Sequence, residues 1–160
     1  MHHLEFDTPL GAMLAIADNQ HLTGLFYKDQ TKQPSLAASK QHHSHPVLLQ
    51  TKKQLEDYFA GQRQRFSIPL KVQTTAFQKS VWEVLSHIRP GETWSYKKVA
   101  ERIGKPTSIR AVANAISRNP FIIVIPCHRV TGIKGELRGY AAGVDRQRHL
   151  LLQESSTLGK

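Results

Sequence analysis

The sequence predicts an α+β chain in two parts, a small α/β unit over residues 1–74 and a helical unit over residues 75–160 that contains a helix-turn-helix. Three observations lead there. In the first part, short apolar runs are separated by turn residues, which is the pattern of strands and hairpins. From Thr75 onward, apolar residues recur at helical spacing behind N-terminal capping signals. Charge is also divided unevenly: residues 1–77 carry 8 Lys+Arg against 6 Asp+Glu, and residues 78–160 carry 14 against 6. An excess of basic residues on the second part suggests a polyanionic partner there, although a basic solvated face would give the same count.

The remaining bounds are ordinary. A chain of 160 residues with 39% hydrophobic content can bury a core as one domain or two small ones. No apolar run reaches membrane-spanning length, and the N-terminus lacks a signal-peptide pattern. A single cysteine excludes an internal disulfide, makes a thiolate zinc site improbable and suits a reducing compartment. A cytoplasmic monomer with no membrane partner is expected.

In chain order, residues 4–6, 10–16 and 22–27 read as strands, with Asp18-Asn19-Gln20-His21 as a turn between the second and third. Residues 28–46 read as a polar loop. Its cluster His42-His43-Ser44-His45 lacks an acidic partner, so a solvated loop is favoured over a metal site. Residues 47–59 carry Leu48, Leu55, Tyr58 and Phe59 near helical spacing, and Gly61 ends that helix. Residues 66–72 read as a further strand. Thr75 and Gln78 form a capping box for a helix whose apolar face is Phe77, Val81, Val84, Leu85 and Ile88, ending before Pro90-Gly91. Ser95 caps a short helix over residues 96–103, closed by Gly104. Pro106-Thr107-Ser108 starts another, which runs to about Ser117 and stops at Asn119-Pro120. Arg110, Asn114 and Arg118 share one face of that helix, and the small residue Ala111 beside them would let a duplex backbone approach. Loops then lead to a last helix, which Asp145 is expected to cap and which should fray after Glu154.

The run Phe121-Ile122-Ile123-Val124-Ile125 reads as a strand buried on both faces, ended by Pro126. Cys127 and His128 would stand at its mouth. A lone cysteine is usually a buried structural thiol. A neighbouring His128 and Arg129 point the other way, because such groups depress a thiol pKa.

Pro126-Cys127-His128-Arg129-Val130 resembles the active-site signature of the O6-alkylguanine-DNA alkyltransferases, and the likeness is close over residues 75–154. The resemblance implies a ribonuclease-H-like fold for the first part and a winged-helix-like DNA-binding unit for the second. It implies irreversible, single-turnover transfer of an alkyl group from O6-alkylguanine in duplex DNA, with O4-alkylthymine as a further candidate, and no cofactor. Cys127 would be the acceptor and His128 its base, acting through a water. Glu154, 27 residues beyond Cys127, would orient His128. Asn119 would brace the approach to the active-site strand. Tyr96 would press on the phosphate of the rotating nucleotide, and Arg110 would fill the space that the flipped base leaves. The base pocket would comprise Val130, Tyr140, Ala141 and Arg129, with the Cys127 and Val130 carbonyls taking the guanine amine. Ala141 stands where relatives can have Ser, and Gln147 where some have Lys. The N-terminal cysteines that hold zinc in some relatives are absent, so no metal is expected. Three other classes fit parts of the sequence: a lesion-binding relative that transfers nothing, a Cys–His hydrolase, and a winged-helix regulator with an inert thiol.

Overall fold

The computed structural model describes residues 1–30, 35, 36 and 38–158, and it has a mixed α+β architecture: an N-terminal sheet unit, Met1–Val72, and a C-terminal helical unit, Gln73–Lys160. In the first unit, β1 (His2–Thr8), β2 (Gly11–Ala17) and β3 (Leu22–Tyr27) form an antiparallel meander. The short β4 (Lys40–Gln41) adds parallel to β1, giving the order β3-β2-β1-β4. This last strand lies within the predicted loop at 28–46, part of which falls outside the described residues. Period-2 patterning puts Leu4, Phe6, Met13, Ala15, Leu25 and Tyr27 inside, where α1 (Pro46–Phe59) packs on β1 and β2 with Leu48 and Leu55. His45 caps α1: its ring Nδ1 accepts from the Val47 N–H, and its Nε2 bonds the Asp18 carbonyl. The histidine cluster thus supplies a helix cap.

The strand predicted over 66–72 does not form. Only Leu70 bridges to Leu22, through Leu22 N–H to the Pro69 carbonyl and Lys71 N–H to the Leu22 carbonyl. Pro69 has no N–H to extend a ladder, and Gln54 takes the Ser67 backbone with its side-chain amide instead.

The second unit packs α2 (Ala76–Leu85), α3 (Tyr96–Arg102) and α4 (Ile109–Ser117) on one another through Val81, Leu85, Val99, Val112 and Ile116. Each such side chain, fully buried, contributes about 1.5–3 kcal/mol. Trp82 donates its indole N–H to the Ala115 carbonyl at 2.9 Å, tying α2 to α4. The Thr75 hydroxyl caps α2 through the Gln78 N–H, but the reciprocal half of the predicted box is replaced: Gln78 Oε1 accepts from the Thr74 hydroxyl. Ser95 caps α3 through the Lys98 N–H. Gly104, at φ 77°, turns the chain between α3 and α4 in a conformation that a side chain would strain. The final helix, α5 (Val144–Leu158), starts before Asp145, which therefore sits in its first turn, where a carboxylate complements the helix dipole, and not at the cap. It also continues past Glu154.

Two features position the site. The first corrects the sequence reading: residues 121–125 are not a strand. Ile125 N–H returns to the Phe121 carbonyl and Val124 N–H to the Ile122 carbonyl, so the run closes on itself as a turn. Ile123 takes φ 72°, a costly conformation for a β-branched residue, held because Phe121, Ile122, Ile123 and Ile125 are all buried. The second feature is a pair of two-residue strands. β5 (Trp94–Ser95) and β6 (Val130–Thr131) pair in parallel, which sets the start of α3 beside the chain leaving Cys127.

Candidate active site

Pro126 leads into a single 3-10 turn, Cys127–Arg129, whose three residues are all buried. Asn119 builds the approach. Its Oδ1 accepts from the Phe121 N–H at 2.9 Å, and its Nδ2 donates to the Ile125 carbonyl at 2.8 Å, so one side chain spans the turn. Asn119→Ala would orphan the buried Phe121 N–H and leave the Ile125 carbonyl only the Cys127 N–H. We expect it to cost about 1–3 kcal/mol, read as a lower urea midpoint; an unchanged midpoint would mean that the turn holds itself.

The Cys127 thiol is 4% exposed. Burial pushes its pKa up to about 11, and a hydrogen bond with Asn119 only partly opposes that. The sequence led to the opposite expectation, a thiol depressed by its two neighbours. The structure removes both influences, because His128 and Arg129 face Glu154. His128 Nε2 lies 2.8 Å from Glu154 Oε2, while Arg129 grips the same carboxylate twice, Nε to Oε1 at 2.9 Å and Nη2 to Oε2 at 2.8 Å, and donates Nη1–H to the Ile88 carbonyl. Arg129 is therefore the carboxylate's counter-ion. Burial alone would raise the Glu154 carboxyl, but the hydrogen bonds from His128 and Arg129 outweigh it and hold the pKa at about 2. Burial lowers His128, against the pull of Glu154, so the ring stays neutral. With Nε2–H given to the carboxylate, the buried Nδ1 has no partner among the described residues and keeps its lone pair for a proton.

The other predicted residues divide into two groups. Tyr96, Val130 and Tyr140 lie near the turn. Tyr140 stands edge-on to His128 with ring centroids 6.4 Å apart, and Ala141 follows it half-buried. The Tyr96 phenol is raised, first by burial and then by the nearby Cys127. It donates to the Arg138 carbonyl at 3.0 Å, and so ties down the loop that carries Tyr140. Gly139 is required there: it sits at φ 72°, and a Cβ would lie 3.3 Å from that hydroxyl. Arg110, Ala111, Asn114 and Arg118 form the second group, on the exposed side of α4 opposite Val112, Ala115 and Ile116. Arg118 Nε donates to Asn114 Oδ1 at 3.4 Å.

Comparison with known proteins decides the family. Residues 1–72 match the family model described as 6-O-methylguanine DNA methyltransferase, ribonuclease-like domain, and residues 76–156 match 6-O-methylguanine DNA methyltransferase, DNA binding domain. This chain belongs to the 6-O-methylguanine DNA methyltransferase family. It is 38% identical to a methylated-DNA–protein-cysteine methyltransferase of Methanosarcina acetivorans, over 98% of this chain and 99% of that one. It is 40% identical to the Mycobacterium leprae protein of the same description, over 94% and 90%. Among solved structures, Mycobacterium tuberculosis OGT in complex with DNA superposes with a TM-score of 0.92 at 37% identity, covering 98% of this chain and 94% of that chain. The α+β architecture is that of this family.

Within this methyltransferase fold, the structure adds a residue to which the sequence had assigned no role. Gln147, 1% exposed, donates Nε2–H to the His128 carbonyl at 3.1 Å and to the Val130 carbonyl at 3.0 Å. The available signal was its spacing: Gln147 precedes Glu154 by seven residues, two helical turns, so both project from one face of α5.

Proposed function

We propose that this chain repairs O6-alkylguanine in duplex DNA by moving the alkyl group once and irreversibly onto Cys127. The observation that carries the reading is the buried pairing of His128 with Glu154 immediately after the lone cysteine. A thiol held near pKa 11 is about one part in 10⁴ ionised at neutral pH, so it needs a base at the moment of attack. Neutral His128, with Nδ1 open and Nε2–H on Glu154, can take that proton through a water. Sulfur then attacks the alkyl carbon, a C–S bond forms, and the C–O6 bond breaks with its electron pair passing to the base. That oxygen is a poor leaving group until it is hydrogen-bonded, and the backbone N–H of Ala141 is suited to supply a donor. The product is a thioether, which a chain with no second thiol cannot cleave.

In this reading, residues 1–74 support and residues 75–160 bind DNA and accept the group. α3 and α4 act as a helix-turn-helix with α4 against the duplex, Arg110, Ala111, Asn114 and Arg118 facing it. The target base is flipped out, stacks on Tyr140, and offers its amine to the Cys127 and Val130 carbonyls. The protein works as a cytoplasmic monomer; among the described residues no helix is long and apolar enough to cross a membrane. Incubation with a duplex containing O6-methylguanine followed by intact mass measurement tests the reading. One added methyl per chain is expected, and repeated turnover would overturn it.

Arg110 is proposed as the group that fills the emptied stack. Arg110→Ala should slow repair in duplex DNA strongly, because flipping costs up to a few kcal/mol more. The same variant should leave reaction with free O6-alkylguanine nearly intact, since nothing is extruded there. Loss of a mere phosphate contact would instead flatten the log–log salt dependence of binding by about 0.9.

A further inference from the structure

We infer that Gln147 is a positioning residue that sets the direction of the Val130 carbonyl, and thereby the recognition of guanine's exocyclic amine; the inference rests on the pocket reading above. Both N–H groups of the Gln147 amide are spent on the backbone of the active-site turn, one on the His128 carbonyl at 3.1 Å and one on the Val130 carbonyl at 3.0 Å. Its Oε1 is buried with no hydrogen-bond partner among the described residues. The opposite amide orientation would aim this oxygen at two carbonyl oxygens, so the two acceptors hold the side chain as it stands. Glu154, two helical turns further along α5, holds the ring of His128 and the guanidinium of Arg129. One helix therefore grips the turn twice, by its side chains through Glu154 and by its backbone through Gln147.

The consequence lies at Val130. Its N–H closes the 3-10 turn onto the Cys127 carbonyl, and its pairing with Trp94 in the β5–β6 ladder limits rotation of the strand. The peptide plane carrying its carbonyl is fixed from the other side by Gln147. A carbonyl oxygen has two lone pairs, so one that accepts from Gln147 can also accept from a base amine. Without Gln147, the peptide loses the bond that aims this oxygen.

Single-turnover rates on two duplexes test the assignment. One carries O6-methylguanine, and the other carries O6-methylhypoxanthine, which lacks only the exocyclic amine. The unsubstituted protein is expected to prefer the first by about tenfold, the worth of one well-placed hydrogen bond. In Q147L this preference should collapse toward one, with the rate on O6-methylguanine falling about tenfold and the rate on O6-methylhypoxanthine little changed. Q147K, whose ammonium offers donors and no acceptor, should restore the preference. If Q147L does not fold, Q147E, close in shape but presenting acceptors to the carbonyls, should show the same loss. A Q147L protein that is slower on both duplexes but keeps the tenfold preference would overturn the inference and leave Gln147 a general brace. An unsubstituted protein with no preference would overturn the pocket reading itself, and with it the role given to Gln147.

Discussion

Cys127→Ser should abolish alkyl transfer while duplex affinity stays within about twofold. Sulfur is the only thiol nucleophile in the chain, and no second cysteine can substitute. A serine hydroxyl is much less acidic and less nucleophilic than a thiol, and a base suited to one proton transfer cannot close that gap. The site magnifies the difference. Burial already raises the thiol to about 11, so in the proposed mechanism even the native nucleophile needs His128 to take its proton. Binding should survive because the basic face of α4 is separate from the turn and the substitution is nearly isosteric. The measurement is methyl transferred per chain, by mass, beside a duplex binding isotherm. Transfer by the serine protein at the native rate would remove Cys127 from the mechanism.

The next largest effect is expected at Glu154. Glu154→Gln keeps the shape but withdraws the charge that orients His128 and neutralises Arg129, so alkyl transfer should slow by about 10²–10⁴. It should also destabilise the fold by about 3–5 kcal/mol, because the Arg129 guanidinium stays buried without a counter-ion. Two pH profiles separate these effects. For stability, the Glu154 carboxyl drops from 4.5 to about 2 on folding, so its contribution is complete above pH 4.5 and is lost as pH falls through about 2. The shift corresponds to about 3 kcal/mol at most. His128 is also lowered from 6.5 on folding, so its share is present above pH 6.5 and is lost on acidification below it. The native protein should therefore lose stability on acidification in stages beginning near pH 6.5, and Glu154→Gln should lack the most acidic stage in calorimetry. For activity, the rate should hold down to below pH 6.5 and then fall as His128 takes a proton and ceases to be a base. Equal, small losses of rate and duplex affinity in Glu154→Gln would reduce Glu154 to a structural ion pair.

Much of this architecture could be read from local signals. The hairpin strands announced themselves by short apolar runs and turn residues, and β3 falls at the predicted residues 22–27. The caps Thr75 and Ser95 are single-residue chemistry, one hydroxyl to one N–H, and both act as the sequence implies. The pairing of His128 with Glu154 was anticipated only through the family likeness. Composition gives no reason to join residues on a turn and a distant helix.

What the sequence determined by itself was therefore the α+β class, the helices with the caps Thr75 and Ser95, and the residue types able to move an alkyl group. The tertiary structure alone decided how those residues meet. An apolar run such as 121–125 is satisfied by burial in any backbone conformation, so its closure into a turn came from Asn119 taking its N–H and C=O groups. Arg129 beside a cysteine could equally have faced the thiol. It faces Glu154 because a buried guanidinium must find a carboxylate, and α5 supplies one. The thiol pKa followed from that choice and from burial. Gln147 acquired its two carbonyl partners only when the first turn of α5 came to lie against Cys127–Arg129, since hydrogen bonds between distant segments leave no periodicity in a chain.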